Sequence, residues 1–252
     1  MSNDNELVED SGYWISLSDL LAGLLIIFIL ALCYAVLSYA EETDKVQKAQ
    51  QQLAESLQLR SEILQAIEDS LRAKDSEIVI TIDFDRGALR LQEGVLFGSG
   101  QASLSDRGVE TLSVLGPIVY AVLSEDRYAG HVETVFVEGH TDNKPIGPRL
   151  RSRFESNWEL SAQRAINAWR TMRTSADLDG LTNESRQPLF SCSGYAETRP
   201  VSLDDTEDAR RLNRRIDLRF SMTPPAESEY WQHVIKTAIV SGFEGEQLSE
   251  DE

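Results

Sequence analysis

A long apolar run near the N-terminus dominates the hydropathy pattern of the chain. Residues 14–40 carry one formal charge, Asp19, and residues 20–37 are nearly unbroken Leu, Ile, Ala, Phe and Val. About 20 apolar residues cross a bilayer as a helix, and Tyr and Trp flank such segments, as they do here. A cleaved signal peptide fits less well, because no basic residue precedes the run and the run is too long. The pattern predicts one transmembrane helix over residues 14–40, after an acidic N-terminus of residues 1–13.

Residues 41–77 change to a polar helical pattern without glycine or proline. Two series repeat every seven residues, offset by four: Val46, Leu53, Arg60 and Ile67, and Gln50, Leu57, Leu64 and Leu71. This is an a/d heptad pattern with two polar defects. An amphipathic helix packed on its own domain is one interpretation. We favour the other, a helical stalk that forms a parallel dimeric coiled coil.

Residues 78–222 alternate between strand and helix patterns. Strands are predicted over 78–84, 88–92, 132–138, 189–194 and 214–222, and helices over 157–173, over 206–213, and from a Ser103 or Ser105 cap to about residue 124. The alternation predicts an α/β domain, a mixed sheet with helices on one side. Residues 223–252 form an acidic tail in which 229–241 have the spacing of a short amphipathic helix.

Charge and cysteine content exclude several classes of protein. The formal net charge is −18, and residues 1–10 and 226–252 together hold more than half of that excess. A chain with so few cations is not expected to bind nucleic acid directly, since neutralising phosphates requires them. Two cysteines exclude a disulfide scaffold and a four-cysteine zinc site. Cys33 lies in the predicted membrane helix and Cys192 in the domain, so an intrachain disulfide is not expected, whereas an intermolecular Cys192 pair stays open.

Asp19 is the carboxylate of the apolar run. It lies about one and a half turns inside the predicted membrane helix, where a charge costs several kcal/mol unless it is neutralised, paired or hydrated. One alternative is an Asp that reaches headgroup water. The other is a protonatable or cation-binding group on a path between helices, with Ser16 and Ser18 as further oxygen ligands. Because one helix cannot enclose a path, that hypothesis requires partner membrane helices.

Four motifs in the α/β region carry a family resemblance. They are residues 137–146 (VEGHTDNKPI), 156–165 (SNWELSAQRA), 194–200 (GYAETRP) and 212–216 (LNRRI). In this order and spacing they resemble the peptidoglycan-binding OmpA-like domain of MotB-type stator proteins. The resemblance implies that Asp142 and Arg164 grip the diaminopimelate of a stem peptide, a group with carboxylates and an ammonium. The surrounding pocket is then expected to include Thr141, Asn157, Leu160 and Arg214.

The N-terminal half resembles the same stator proteins. Trp14 followed within a few residues by Asp19 and an aliphatic run is similar to their ion-carrying pattern, so the resemblance assigns ion translocation to Asp19. It also implies a cytoplasmic N-terminus and a periplasmic domain in the inner membrane of a bacterium, because peptidoglycan lies outside that membrane. The count of Lys and Arg near the helix ends weakly favours the opposite orientation, with the C-terminal side in the cytoplasm. Lys45, Lys48 and Arg60 all follow the helix, and no Lys or Arg precedes it.

Several departures separate the chain from flagellar stators. The N-terminus is acidic, the heptad segment is long, and a tail follows Met222. These features make the chain more similar to the MotB-like subunits of Zorya anti-phage defence systems. That resemblance implies a homodimer within an ion-driven motor, with five copies of a MotA-like partner, ZorA, around two copies of this chain. No cofactor is expected apart from the translocated cation, H⁺ or Na⁺.

Other functions are weighed against this one. A flagellar stator would share the same parts, and a passive envelope anchor would need the domain but no membrane carboxylate. An enzyme is not expected. Glu138, His140 and Asp142 have the alternating spacing of a metal site on one strand face, but only if the strand continues through all three. We therefore expect no metal.

Overall fold

A computed structural model describes residues 4–74, 78, 80–98, 101–147 and 150–224. The described residues divide into two compact units, with the boundary between residues 52 and 53. The expected short helix of the C-terminal tail lies outside the described residues.

One helix accounts for the N-terminal region. Helix α1, Asp4–Lys74, includes all of the predicted membrane segment, which has a mean hydropathy of 3.0 over 18 residues. Its side chains from Leu20 to Leu37 are exposed, as expected for a helix that meets lipid rather than a protein core. By length and composition, this helix can cross a membrane.

The last turns of α1 differ from the predicted stalk. Helix is present up to Lys74, but Ile63, Leu64, Ile67 and Leu71 are at most 2% exposed and belong to the core of their own domain. These side chains are buried by their own chain, so the coiled-coil prediction is wrong for residues 63–71. The alternative, an amphipathic helix packed on its own domain, holds for this part of the helix. The heptad pattern shows that one face of the helix is apolar. An apolar face can pack against its own domain as well as against a second helix in a dimer. Leu57 and Leu53, about two and three turns before Ile63, are exposed.

Five strands form a mixed sheet in the C-terminal domain. They are β1 (Thr81–Asp83), β2 (Ala88–Gln92), β3 (Val132–His140), β4 (Phe190–Gly194) and β5 (Arg215–Met222), in the order β1-β2-β5-β3-β4. β3 and β4 are parallel, whereas the other neighbours are antiparallel. The helices are α2 (Glu93–Leu96), α3 (Asp106–Leu123), α4 (Asn157–Ser175) and α5 (Glu207–Asn213). This confirms the predicted mixed-sheet α/β domain.

The two faces of the sheet differ sharply in polarity. Leu89, Val137 and Leu218 are paired in register and point into the apolar core, which α3, α4 and the end of α1 complete. The next residues along the strands alternate to the opposite face, where Glu138 lies beside Asp217. That face carries ion pairs with buried carboxylates, Asp217 and Glu138.

Capping fixes where two of the helices begin. Ser105, one of the two predicted caps, accepts a hydrogen bond from the Gly108 backbone N–H at 3.0 Å and starts α3. Thr206 does the same for α5 through the Ala209 N–H, at 3.2 Å. These caps set the registers of the helices that border the site described next.

Candidate functional site

A polar cleft of about 530 Å³ opens where β3 ends and α4 begins. β3 stops at His140, and the following backbone is tied to the 195–200 segment, because the Thr141 N–H donates to the Ala196 carbonyl at 2.9 Å. Asp142 therefore leaves the line of the strand and reaches the cleft. The cleft is lined by Glu93, Gly94, Phe97, Thr141, Asp142, Lys144, Pro145, Ile146, Gly147, Leu150, Asn157, Leu160, Arg164, Glu207, Arg211 and Arg214.

The first two turns of α4 supply one wall of the cleft. Asn157, Leu160 and Arg164 follow helical spacing and so share one face. The side-chain amide of Asn157 donates to the Lys144 carbonyl at 3.0 Å and to a Glu197 carboxylate oxygen at 3.1 Å. Asn157 thus fixes the loop after Asp142 to the start of the helix.

Arg164 is a buried cation at the base of the cleft. It is 3% exposed, and its guanidinium forms an ion pair with Glu93 and donates from Nε to the Gln101 carbonyl at 3.0 Å. Burial lowers the pKa of Arg164, and the Glu93 carboxylate opposes that shift. An arginine with a lowered pKa is still charged at neutral pH. The Arg164 guanidinium is therefore a cation that can bind an anion with its N–H donors.

Arg214 links three carboxylates across the cleft mouth. Its guanidinium donates to Asp142 at 2.5 Å and to Glu207 at 2.9 Å, and it pairs with Glu93 at 3.0 Å. Burial acts to lower the pKa of Arg214, but hydrogen bonds to Asp142 and Glu207 give a net increase. Hydrogen bonds from Arg214, Arg210 and Lys144 lower the pKa of Glu207 to about 2. The cleft thus holds charges of both signs.

The structure brings together all six residues that the sequence indicates for ligand binding. Thr141, Asp142, Asn157, Leu160, Arg164 and Arg214 all line the cleft. The Thr141 hydroxyl is buried and has no hydrogen-bond partner among the described residues. A buried hydroxyl of this kind is available to a ligand. The arrangement can bind a group that carries a carboxylate and an ammonium close together.

Sequence reasoning missed two carboxylates of the cleft. Glu93 starts the short helix α2, and Glu207 lies in the first turn of α5. Neither belongs to the binding motifs, and neither position has a local pattern that marks it. A tertiary backbone contact, in which the Glu93 N–H donates to the Arg214 carbonyl at 3.0 Å, brings Glu93 to the arginines.

A second polar cluster lies on the open face of the sheet. His140 is 2% exposed, and its Nε2 lies 3.8 Å from Glu138 and 3.7 Å from Asp217. These three could hold a metal by geometry, with Asp217 in place of Asp142, because the strand ends at His140. Each carboxylate already accepts from an arginine at 2.8 Å, Asp217 from Arg215 and Glu138 from Arg219. Those cations supply the positive charge that a metal would bring, so we assign the cluster a structural role.

The predicted ion-carrying residues lie on α1. Asp19 is exposed, and the Ser18 hydroxyl donates to the Trp14 carbonyl at 2.8 Å, within the helix. The side chain of Ser16 lies outside the described residues. The requirement for partner membrane helices around Asp19 stays a prediction.

Comparison with known proteins shows which families the domain is similar to. The OmpA family model matches residues 96–214. Motility protein B of Bacillus subtilis is 29% identical over 130 residues, which are 52% of this chain and 43% of that protein. A solved MotB-like protein from Desulfovibrio vulgaris shares the fold, with a TM-score of 0.52 and 23% identity over 68% of this chain and 98% of that one. Residues 96–214 are therefore similar to the OmpA family, and the chain is similar to MotB-type proteins.

One relative matches over a longer stretch. Zorya protein ZorB of Escherichia coli is 27% identical over 224 residues, which are 82% of this chain and 86% of that protein. By contrast, the chain spans less than half of the length of the Bacillus relatives that it matches. The similarity to ZorB therefore extends beyond the C-terminal domain, residues 53–226, into other parts of the chain.

Proposed function

We propose that this chain is the wall-anchored, stator-like subunit of an inner-membrane motor that uses ion flow in anti-phage defence. The observation that carries this proposal is the extent of the match to Zorya protein ZorB, which covers most of both chains. The parts that such a subunit requires are present: a helix that can cross a membrane, a carboxylate in its apolar run, and a domain with a zwitterionic cleft.

The cleft is the proposed site of wall attachment. Stem peptides of peptidoglycan carry diaminopimelate, whose free end offers a carboxylate and an ammonium. Arg164 suits the carboxylate, since a guanidinium forms two parallel hydrogen bonds with it. Asp142 suits the ammonium. Because peptidoglycan lies outside the inner membrane, wall attachment requires the domain to lie in the periplasm and the N-terminus in the cytoplasm.

Asp19 is the proposed ion carrier. Two copies of α1 lie inside a ring of MotA-like subunits, in a two-to-five ratio like that implied for Zorya motors. H⁺ or Na⁺ binding neutralises Asp19, and release restores its charge. One charge that crosses 100 mV gains about 2.3 kcal/mol, several times the thermal energy, which suffices to bias a rotation step. The wall-bound domains keep the pair still while the ring turns.

The test replaces Asp19 in cells that carry the complete defence operon. Asp19→Asn should abolish phage protection while membrane insertion and retention on purified peptidoglycan stay unchanged. Asp44→Asn is the matched control, because Asp44 is exposed and forms a surface pair with Lys48. Full protection by Asp19→Asn would contradict the motor and favour a passive anchor.

A flagellar stator is the second candidate. It is favoured by the 29% identity to Motility protein B of Bacillus subtilis. The discriminating measurement is motility of a stator-deficient strain that expresses this chain with its MotA-like neighbour. Restored swimming without phage protection would contradict a role in defence and support a role in motility.

A further inference from the structure

Glu93 occupies the position between the two arginines of the cleft. One of its carboxylate oxygens pairs with Arg164, and the other pairs with Arg214 at 3.0 Å. The side chain is nearly buried, with 11% of its surface exposed. A bound carboxylate would use the same two guanidinium groups in the same bridging manner. The protein therefore fills its own anion site with a side-chain carboxylate.

Protein acceptors already occupy part of both guanidinium groups. Arg214 donates to Asp142, Glu207 and Glu93, and Arg164 donates to Glu93 and the Gln101 carbonyl. A ligand carboxylate that binds Arg164 bidentately uses Nη2 and therefore competes with Glu93 for that nitrogen. The displaced carboxylate stays in the same nearly buried place and has lost a partner.

We propose that Glu93 makes the cleft selective for ligands that carry an ammonium beside their carboxylate. A ligand with only a carboxylate displaces Glu93 and leaves it a buried charge with incomplete pairing, which is costly. A ligand that also brings an ammonium supplies Glu93 with a new partner. This inference rests on the proposed binding of stem peptides and names the residue that sets their selectivity.

The chemistry specifies three probe peptides. The first is a stem tetrapeptide with the free amine and free carboxylate of diaminopimelate. The second has that amine acetylated, so only the carboxylate remains. The third has that carboxylate amidated, so only the ammonium remains. Binding is measured by calorimetry on the full-length protein in lipid nanodiscs.

We expect the wild-type protein to bind the first peptide at least about tenfold more tightly than the acetylated one. Glu93→Gln should bind the acetylated peptide more tightly than the wild type does, because a neutral amide needs no cation. The preference for the first peptide should shrink, and the part that remains comes from the pairing of the ammonium with Asp142. The amidated peptide should lose affinity. Glu110→Gln, an exposed carboxylate on α3 outside the cleft lining, is the matched control and should behave as the wild type.

A second variant protects the test if Glu93→Gln fails to fold. Because Arg214 also pairs with Asp142, Arg214→Gln is made in an Asp142→Asn background. There it leaves Glu93 with Arg164 as its partner, so the preference for an ammonium should rise above that of Asp142→Asn alone. The proposal is overturned by an unchanged preference in Glu93→Gln, by an equal loss for all three peptides, or by no rise when Arg214→Gln is added to Asp142→Asn. Wild-type protein that binds none of the peptides would instead refute wall binding itself, and this inference with it.

Discussion

Gly139 and Gly194 lie opposite each other in the parallel pair β3–β4, directly beneath α4. A Cβ at Gly139 would meet the Ser161 carbonyl oxygen at 2.0 Å, and one at Gly194 would meet the Ala162 nitrogen at 2.5 Å. The helix backbone therefore rests on the sheet backbone at this point. Because α4 carries Asn157 and Arg164, this close approach sets the depth of the cleft.

Gly139→Ala should destabilise the domain by about 1–3 kcal/mol, since the added methyl meets backbone that cannot rotate away. The measurement is urea unfolding of the detergent-solubilised protein, followed by tryptophan fluorescence. Gly94→Ala is the control, because a Cβ there meets nothing within 4 Å. Equal stability of the two variants would show that α4 can lift off the sheet without cost.

Leu64→Ala tests whether the end of α1 belongs to the domain core. Leu64 is fully buried, so the truncation should cost about 2–5 kcal/mol of unfolding free energy. Leu57→Ala, one heptad earlier and 42% exposed, should cost much less. A dimeric coiled coil through this segment would instead make the two truncations similarly costly and make stability depend on protein concentration.

Cys192 should react slowly with thiol reagents. Burial raises the pKa of its thiol to about 11, so almost no reactive thiolate is present at pH 8. Labelling by iodoacetamide in a Cys33→Ser background should proceed far more slowly than in the urea-unfolded protein. Rapid labelling of the native protein would show that β4 opens at its α4 side.

His140 should make the domain sensitive to mild acid. Burial lowers the pKa of His140, against the influence of Glu138 and Asp217, so the unfolded chain binds a proton before the folded one does. Unfolding free energy should therefore fall as the pH drops below about 6.5. In His140→Asn this dependence should flatten between pH 7 and 5, whereas the control His131→Asn, with an exposed imidazole, should retain it.

Glu207 should titrate about two pH units below an ordinary glutamate. Its pKa is lowered from 4.5 to about 2, chiefly by the hydrogen bond from Arg214. Its charged pairing should persist at pH 4.5 and disappear only as the pH falls towards 2, which carboxyl NMR shifts can follow. Arg214→Gln should raise this pKa, whereas Arg211→Gln should not, because Arg211 pairs with Asp208.

Local sequence patterns predicted most of the fold. Every strand of the sheet lies within or close to its predicted range, because period-two alternation and flanking turns mark it, and Ser105 marks the start of α3. The heptad pattern predicted the helix but not its packing partner. The spacing of Leu64 and Leu71 indicates an apolar helix surface. Only the tertiary structure shows that this surface packs against the same chain.

The cleft was predictable as far as its residues belong to motifs. Asp142 and Arg164 come from two motifs whose order and spacing indicate one pocket. Glu93 was not predictable, since an acidic residue before a four-residue helix has no local signature. Its role depends on the backbone contact with Arg214, which joins positions more than a hundred residues apart.

The charged face of the sheet constrains how the protein can evolve. Glu138 on β3 and Arg219 on β5 form a pair in which the carboxylate is almost fully buried. Loss of Arg219 alone leaves Glu138 as a buried charge without its cation, at a cost of about 3–5 kcal/mol, comparable with the total stability of many domains. We therefore expect descendants of this sequence to exchange the two residues together or to keep both.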